Sequence, residues 1–186
     1  PDGDPDADGV RNADEFRKGT HPRGLFRRYF ADGISSEFYT TILALANPAG
    51  EPVTVVLSFF TSNATLATLP VDLAPRSRTT INANDLPAIA GLAYSTTVEA
   101  DALVVADRQL SWDVAGYGGH AETGIARPAT QWYFAEGATH SGFDLFYLLQ
   151  NPDDRDADIE VRYLRPAGAD PIVKRYTVPG QSRFNI

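Results

Sequence analysis

The stretch RRYFADGISSEFYTTILALANPAGEP, from Arg27, returns as QWYFAEGATHSGFDLFYLLQNPDDRD, from Gln131. Tyr29 to Gly33 aligns with Tyr133 to Gly137, and Asn47-Pro48 with Asn151-Pro152, at a single offset of 104 residues. The register continues through VTVVLSFF (from Val53) and ADIEVRYL (from Ala157). After a one-residue insertion, Ser77-Arg78 meets Ser182-Arg183 and Ile81 meets Ile186. A chain duplicated in this way has to build one supersecondary unit twice.

That unit reads as β. Ile159, Val161 and Tyr163 alternate with Glu160 and Arg162, the period-two pattern of a strand with one wet face. VTVVLSFF, YSTTVEA and ALVVADRQLSWD are rich in β-branched and aromatic residues, while NPAGEP, TSNAT, APRS, NPDD, RPAGAD and VPGQ between the runs are turn chemistry. Only DLPAIAGLA, from Asp85, has room for a short helical turn. The expected fold class is all-β, with immunoglobulin-like sandwich repeats preceded by a short EF-hand-like loop and helix; jelly-roll and barrel topologies fit the same pattern. The expected organisation is a leader over 1–26, a complete repeat over 27–130 and a partial one over 131–186. Residues 82–130 have no counterpart in the second copy, which predicts an exposed apolar groove and unpaired edges there. Either the sequence is a piece of a longer tandem array, or a neighbouring chain supplies the strands.

The motifs W/R-Y-F-A-E/D-G, L-x-N-P, P-x-S-R, R-Q-L-S-W and G-G-H-A-E-T-G resemble a repeat of large bacterial surface proteins. The resemblance covers nearly all of 27–186 and departs at Arg28, where the second copy has Trp132. It implies tandem β-domains beside calcium repeats, without an assigned reaction, and transfers no functional residue.

The leader supplies a second motif. Counted from Asp4, DPDADGVRNADE places Asp4, Asp6 and Asp8 at positions one, three and five, and Gly9 at six. Val10, Asn12 and Glu15 then fall at seven, nine and twelve. This is the twelve-residue calcium loop, in which carboxylates, one backbone carbonyl and a bidentate glutamate surround the ion. Starting from Asp2 would put Ala7 where the sharp turn needs glycine. A short helix should follow, ended by Gly19, with Phe16 as its apolar contact. The segment resembles the thrombospondin type 3-like and dockerin-like calcium repeats of secreted proteins. That resemblance implies a structural calcium ion held by Asp4, Asp6, Asp8, Asn12, Glu15 and the Val10 carbonyl. Extracellular loops of this kind bind on the order of 10⁻⁴ to 10⁻³ M.

Composition narrows the remaining classes. A net charge of −8 offers polyphosphates no long-range attraction, so nucleic acid is not an expected partner. The absence of cysteine removes disulfides and thiol chemistry. No apolar run approaches the roughly 18 residues of a membrane helix. The start at Pro1 carries no signal-peptide pattern and reads as a processed or excised end.

Catalytic signatures are missing. His21, His120 and His140 form no H-x-x-x-H pair, and no nucleophile elbow or phosphate loop occurs. His120 with Glu122, and His140 near Glu136 and Asp144, read as turn residues rather than metal ligands. Asp101, Asp107 and Asp113 fall at even intervals on or beside one strand, where solvation and arginine pairing suit them better than acid catalysis. Tyr29, Phe30, Trp132, Tyr133 and Phe134 read as core and joint packing, with sugar stacking as the rival role. Asn63-Ala64-Thr65 is a glycosylation sequon in a turn. The function expected is a calcium-stabilised, non-enzymatic structural or adhesive module of an extracellular or cell-surface bacterial protein. Its expected partners are neighbouring copies or repeats of itself. One alternative is a filament subunit completed by strand exchange; another is a carbohydrate-binding accessory region of a secreted hydrolase, with cell-surface polysaccharide as partner.

Overall fold

The computed structural model describes residues 2–4, 10–18, 21–22, 24, 26–62, 66–113, 118–142, 144–166 and 168–186. Asp6 and Asp8 of the leader, and the sequon, lie outside these residues. A seven-residue helix, α1 (Asn12–Lys18), precedes β1 (Phe26–Phe30), β2 (Tyr39–Asn47), β3 (Val53–Thr61), β4 (Leu66–Leu73) and β5 (Ser77–Asn82). A 3-10 turn (Ala83–Asp85) leads to β6 (Tyr94–Ala100), β7 (Val105–Trp112) and β8 (Gly118–Thr123). The second copy contributes β9 (Leu148–Asn151), β10 (Ala157–Tyr163), β11 (Ile172–Val178) and β12 (Ser182–Asn185). All strand pairings are antiparallel, and the fold is all-β.

The first copy forms two four-stranded sheets, ordered β1-β6-β3-β4 and β5-β2-β7-β8. This order differs from the four-plus-three arrangement of an immunoglobulin constant domain. The inward phases of the strands supply Leu43 and Leu45, Val53, Val55, Leu57 and Phe59, and Tyr94, Val98 and Ala100, which pack in one buried cluster. Each large side chain among them contributes about 1.5–3 kcal/mol. At one side the sheets are stitched together, since Tyr29 and Ile125 exchange backbone hydrogen bonds of 2.9 Å each.

Glycine gives β8 an unexpected place in a sheet. GGHAET reads as a turn in sequence, yet Gly118 to Thr123 pairs with the whole of β7 from Trp112 to Asp107. A Cβ on Gly118 would lie 2.4 Å from the Trp112 indole, and one on Gly119 would lie 2.8 Å from the Leu110 carbonyl. Only glycine lets the strand approach this closely. His120 is therefore a strand residue, not a turn residue. Asp101, in turn, sits in the bend between β6 and β7, off the strand that holds Asp107.

Each copy locks its connections with one asparagine. Asn47 Nδ2 donates to the carbonyls of Glu51, Leu73 and Ala74 at 2.7, 3.3 and 3.1 Å, and its Oδ1 accepts from the Ala49 amide. Asn151 repeats the set on Arg155, Val178 and Pro179 at 2.8, 3.1 and 3.2 Å, with the Asp153 amide as donor. Arg76 and Gln181, at φ 50° and 47°, make the same left-handed turn at equivalent places. Across β3–β4, the Thr54 hydroxyl donates to Asp72 at 2.8 Å; across β10–β11, Thr177 donates to Asp158 at 2.7 Å, with threonine and aspartate exchanged between the strands.

Among the described residues, the second copy forms two two-stranded sheets, β10-β11 and β12-β9. Its aromatic head departs from the expected packing for that reason. Phe30 is 1% exposed in β1, whereas its counterpart Phe134 is 65% exposed and belongs to no strand. Strand β1 exists because it pairs with β6, and residues 131–186 contain no counterpart of β6.

Removing the Asn47 carboxamide takes the side-chain donor from three carbonyls, of which the Leu73 contact is buried and the other two are part-buried. Asn47→Ala should lower the unfolding free energy in urea by about 2 kcal/mol, and an unchanged midpoint would show that the clasp is dispensable.

Candidate functional site

Three places concentrate polar or uncovered groups: the leader, an ionic node at the mouth of the first copy, and the inner face of the second. In the leader, the Asn12 amide donates to the Gly3 carbonyl at 2.8 Å, which draws the chain before Asp4 onto the start of α1. The Glu15 amide donates to Arg11, and Glu15 itself is fully buried at 0% exposure. Phe16 is 88% exposed, so the expected apolar contact is absent. Successive helical residues point about 100° apart, and α1 gives its inward direction to the carboxylate instead. Asn12 Oδ1 is shielded from solvent and has no hydrogen-bond partner among the described residues. Asp4 is exposed, Val10 is half-buried, and Asp6 and Asp8 lie outside the described residues. Among the described residues, no three His, Asp or Glu side chains converge as a metal group.

The leader is held on the outer face of β6. Glu99 accepts from the His21 amide at 3.2 Å and from Arg27 Nε at 2.8 Å. Gly24 fits against it, since an added Cβ would lie 3.3 Å from Glu99 Oε1 and from the His21 carbonyl. Burial pushes the Glu99 carboxyl up from its usual 4.5, against the opposing pull of Arg27 and the His21 amide.

The ionic node surrounds Arg108, which is 1% exposed. Its guanidinium bridges Asp32 at 3.0 Å and Glu122 at 2.9 Å, while His120 Nε2 stands 3.9 Å from Asp32. Arg183 of the second copy reaches the same aspartate at 3.8 Å. Strand alternation carries the signal for this node: Arg108 shares the inward phase of Ala106 and Leu110, a charge on a core-facing register. The acids that histidine might have recruited for a metal are engaged by arginine, and Asp107 accepts from the Thr123 hydroxyl at 2.8 Å. His140 contacts Ser141 and lies on the surface, apart from this group.

The second copy rests on the first through the outer side of β9–β12. Gln150 Nε2 donates to Thr97 Oγ1 at 2.9 Å, and Ser58, Phe60, Ser95 and Thr97 on the outer side of β3 and β6 are buried. Its inner side stays uncovered. Ile159, Val161 and Tyr163 are half-buried, although their counterparts Val55, Leu57 and Phe59 are closed off. Ile172, which pairs with Tyr163 on this side, is exposed.

An acid whose folded pKa is raised holds its proton more tightly in the folded chain, so the folded state is favoured at low pH. Stability from Glu99 should therefore fall as pH rises through a window that opens at 4.5 and closes at its raised folded value. Urea midpoints measured from about pH 4 to 7 should show this slope in the native chain and lose it in Glu99→Gln. Parallel curves would contradict the assignment.

No protein family matches the chain, and no curated protein does. Solved structures similar to part of it include the crystal structure of Thermotoga maritima 1070, at 16% identity and a TM-score of 0.51. That likeness covers 55% of this chain and 94% of the other, and extends to the fold alone. A looser likeness, to the Anabaena sensory rhodopsin transducer, has 14% identity and a TM-score of 0.38 over 44% of this chain and 90% of the other.

Proposed function

We propose that the chain is a calcium-stabilised, non-enzymatic structural module of an extracellular bacterial surface protein, with a calcium-binding leader before β-sandwich repeats. The observation that carries this reading is the burial of Glu15 beside an exposed Phe16. A carboxylate turned inward on a short helix, beside an exposed phenylalanine, is the placement that position twelve of a calcium loop calls for. Asn12 Oδ1, shielded and without a hydrogen-bond partner among the described residues, suits position nine of the same loop, and the oxygen-only donor set suits a hard cation. The ion, when bound, supplies the positive charge that offsets the mutual repulsion of Asp4, Asp6 and Asp8. Glu99 and Arg27 then pass the ordered leader onto the sheet.

A non-enzymatic role draws support from the arginine pairing of Asp32 and Glu122, which commits these two acids to a structural ion-pair node. The unpaired edges of β9 and β10 favour a second reading, a filament subunit completed by a neighbour's strands. The exposure of Trp132, Tyr133 and Phe134 lends less to a sugar-stacking role, because their counterparts in the first copy include the paired residues of β1.

Terbium luminescence or calorimetric titration should reveal one saturable site on the order of 10⁻⁴ to 10⁻³ M. Glu15→Gln should weaken it by about tenfold or more, and calcium at a hundred times its Kd should stabilise the leader by about 2.7 kcal/mol. A titration without saturation would remove this reading.

A further inference from the structure

We infer that the uncovered inner face of the second copy is a docking seat for a strand pair with the chemistry of β6–β7. The first copy identifies the occupant. There β2 pairs with β5 on one edge and β7 on the other, and β3 pairs with β4 and β6. In the second copy, β9 keeps only the counterpart of β5, and β10 only the counterpart of β4. Two edges, one in each sheet, therefore stand ready for one inserted pair. The inherited register would set Val98 opposite Val161, Thr96 opposite Tyr163 and Ala106 opposite Leu149.

Two features of the second copy, the Glu136 carboxylate and the asymmetry of the β10–β11 edges, match that insert rather than a generic apolar ligand. Glu136 stands at the position of Asp32, which receives Arg108 in the first copy; among the described residues Glu136 has no ion pair, and it is exposed. Gly137 stands at the position of Gly33, whose added Cβ would fall 2.4 Å from the Tyr94 ring of β6. At Gly137 itself an added Cβ would lie 2.7 Å from Leu145 Cδ2, so a tyrosine arriving there has to displace that leucine side chain. The two edges of the β10–β11 pair also differ. On β11, Lys174 pairs with Val161 and takes the inward place that Leu69 holds opposite Leu57, and an inward charge on an edge strand discourages further pairing there. On β10 the inward residues are Ile159, Val161 and Tyr163, so the open edge directs the insert to one side.

A strand added to a sheet edge takes its affinity from backbone hydrogen bonds and its selectivity from alternate side chains. The seat does not depend on calcium in the leader. The probe is a synthetic peptide of residues 92–113 added to the 186-residue chain, followed by calorimetry and backbone amide exchange. We expect one peptide per chain, with protection appearing on β9 and β10 but not on the outer edge of β11. Glu136→Gln in the chain, or Arg108→Leu in the peptide, should each weaken binding by about tenfold. Both changes together should cost little more than one, as expected of a shared contact. Because a free peptide is prone to aggregation, a second chain extended after Ile186 by a copy of residues 82–130 should protect the same edges and bury Phe134. Absence of protection in both experiments would overturn the proposal. So would protection confined to β11, or self-association of the chain through this face with the peptide excluded.

Discussion

A β-strand has two hydrogen-bonding edges and two faces, and the first copy is organised around one segment that satisfies all four. Every residue of β6 is buried. Its edges pair with β1 and β3. Its inner face contributes Tyr94, Val98 and Ala100 to the core, and on its outer face Thr97 receives Gln150 while Glu99 anchors the leader. The second copy displays the same chemistry without such a strand. The apolar phase of β10 is present but half-buried, and Phe134 leaves the interior that Phe30 occupies. The difference between the copies is therefore one of missing partners, more than of side-chain quality.

Much of this was legible from the residues. Alternation and β-branched content locate β3, β6, β7 and β10 closely, and the offset between the copies predicts which of their turns are alike. Strand β4 is harder to read because Pro70 lies within it. A proline belongs on an edge strand, where one side of the backbone needs no donor, and β4 is such an edge. The glycine pair of β8 conceals a strand because its small size answers to Trp112, a partner set by the sheet. Local pattern also misassigned Phe16: an aromatic after an acidic loop suggests burial, but the inward face of the short helix is taken by Asn12 and Glu15, three residues apart, and Phe16 points away from it.

The ionic node lies on the same boundary between pattern and topology. Its arginine is in phase with the core and visible in the sequence, but its partner Asp32 is 76 residues away and is brought near by the strand order. A buried guanidinium is costly unless its donors are matched. Asp32 and Glu122 match its two terminal nitrogens, while Nε stays buried without a hydrogen-bond partner among the described residues, and Arg183 adds a second cation to Asp32 from the adjoining copy. The leader is joined by a similar device, with Glu99 accepting from Arg27 and the His21 backbone. In both cases a carboxylate at the sheet surface ties together segments distant in sequence.

The exchanged threonine and aspartate on β3–β4 and β10–β11 bear on how such units can be recombined. Moving one strand alone between the copies would set two hydroxyls opposite each other in one hybrid and two carboxylates in the other. Moving both strands keeps one donor facing one acceptor. The smallest portable module of this architecture is thus the hairpin, and a column-wise alignment of the copies would score two mismatches where a single contact has been kept.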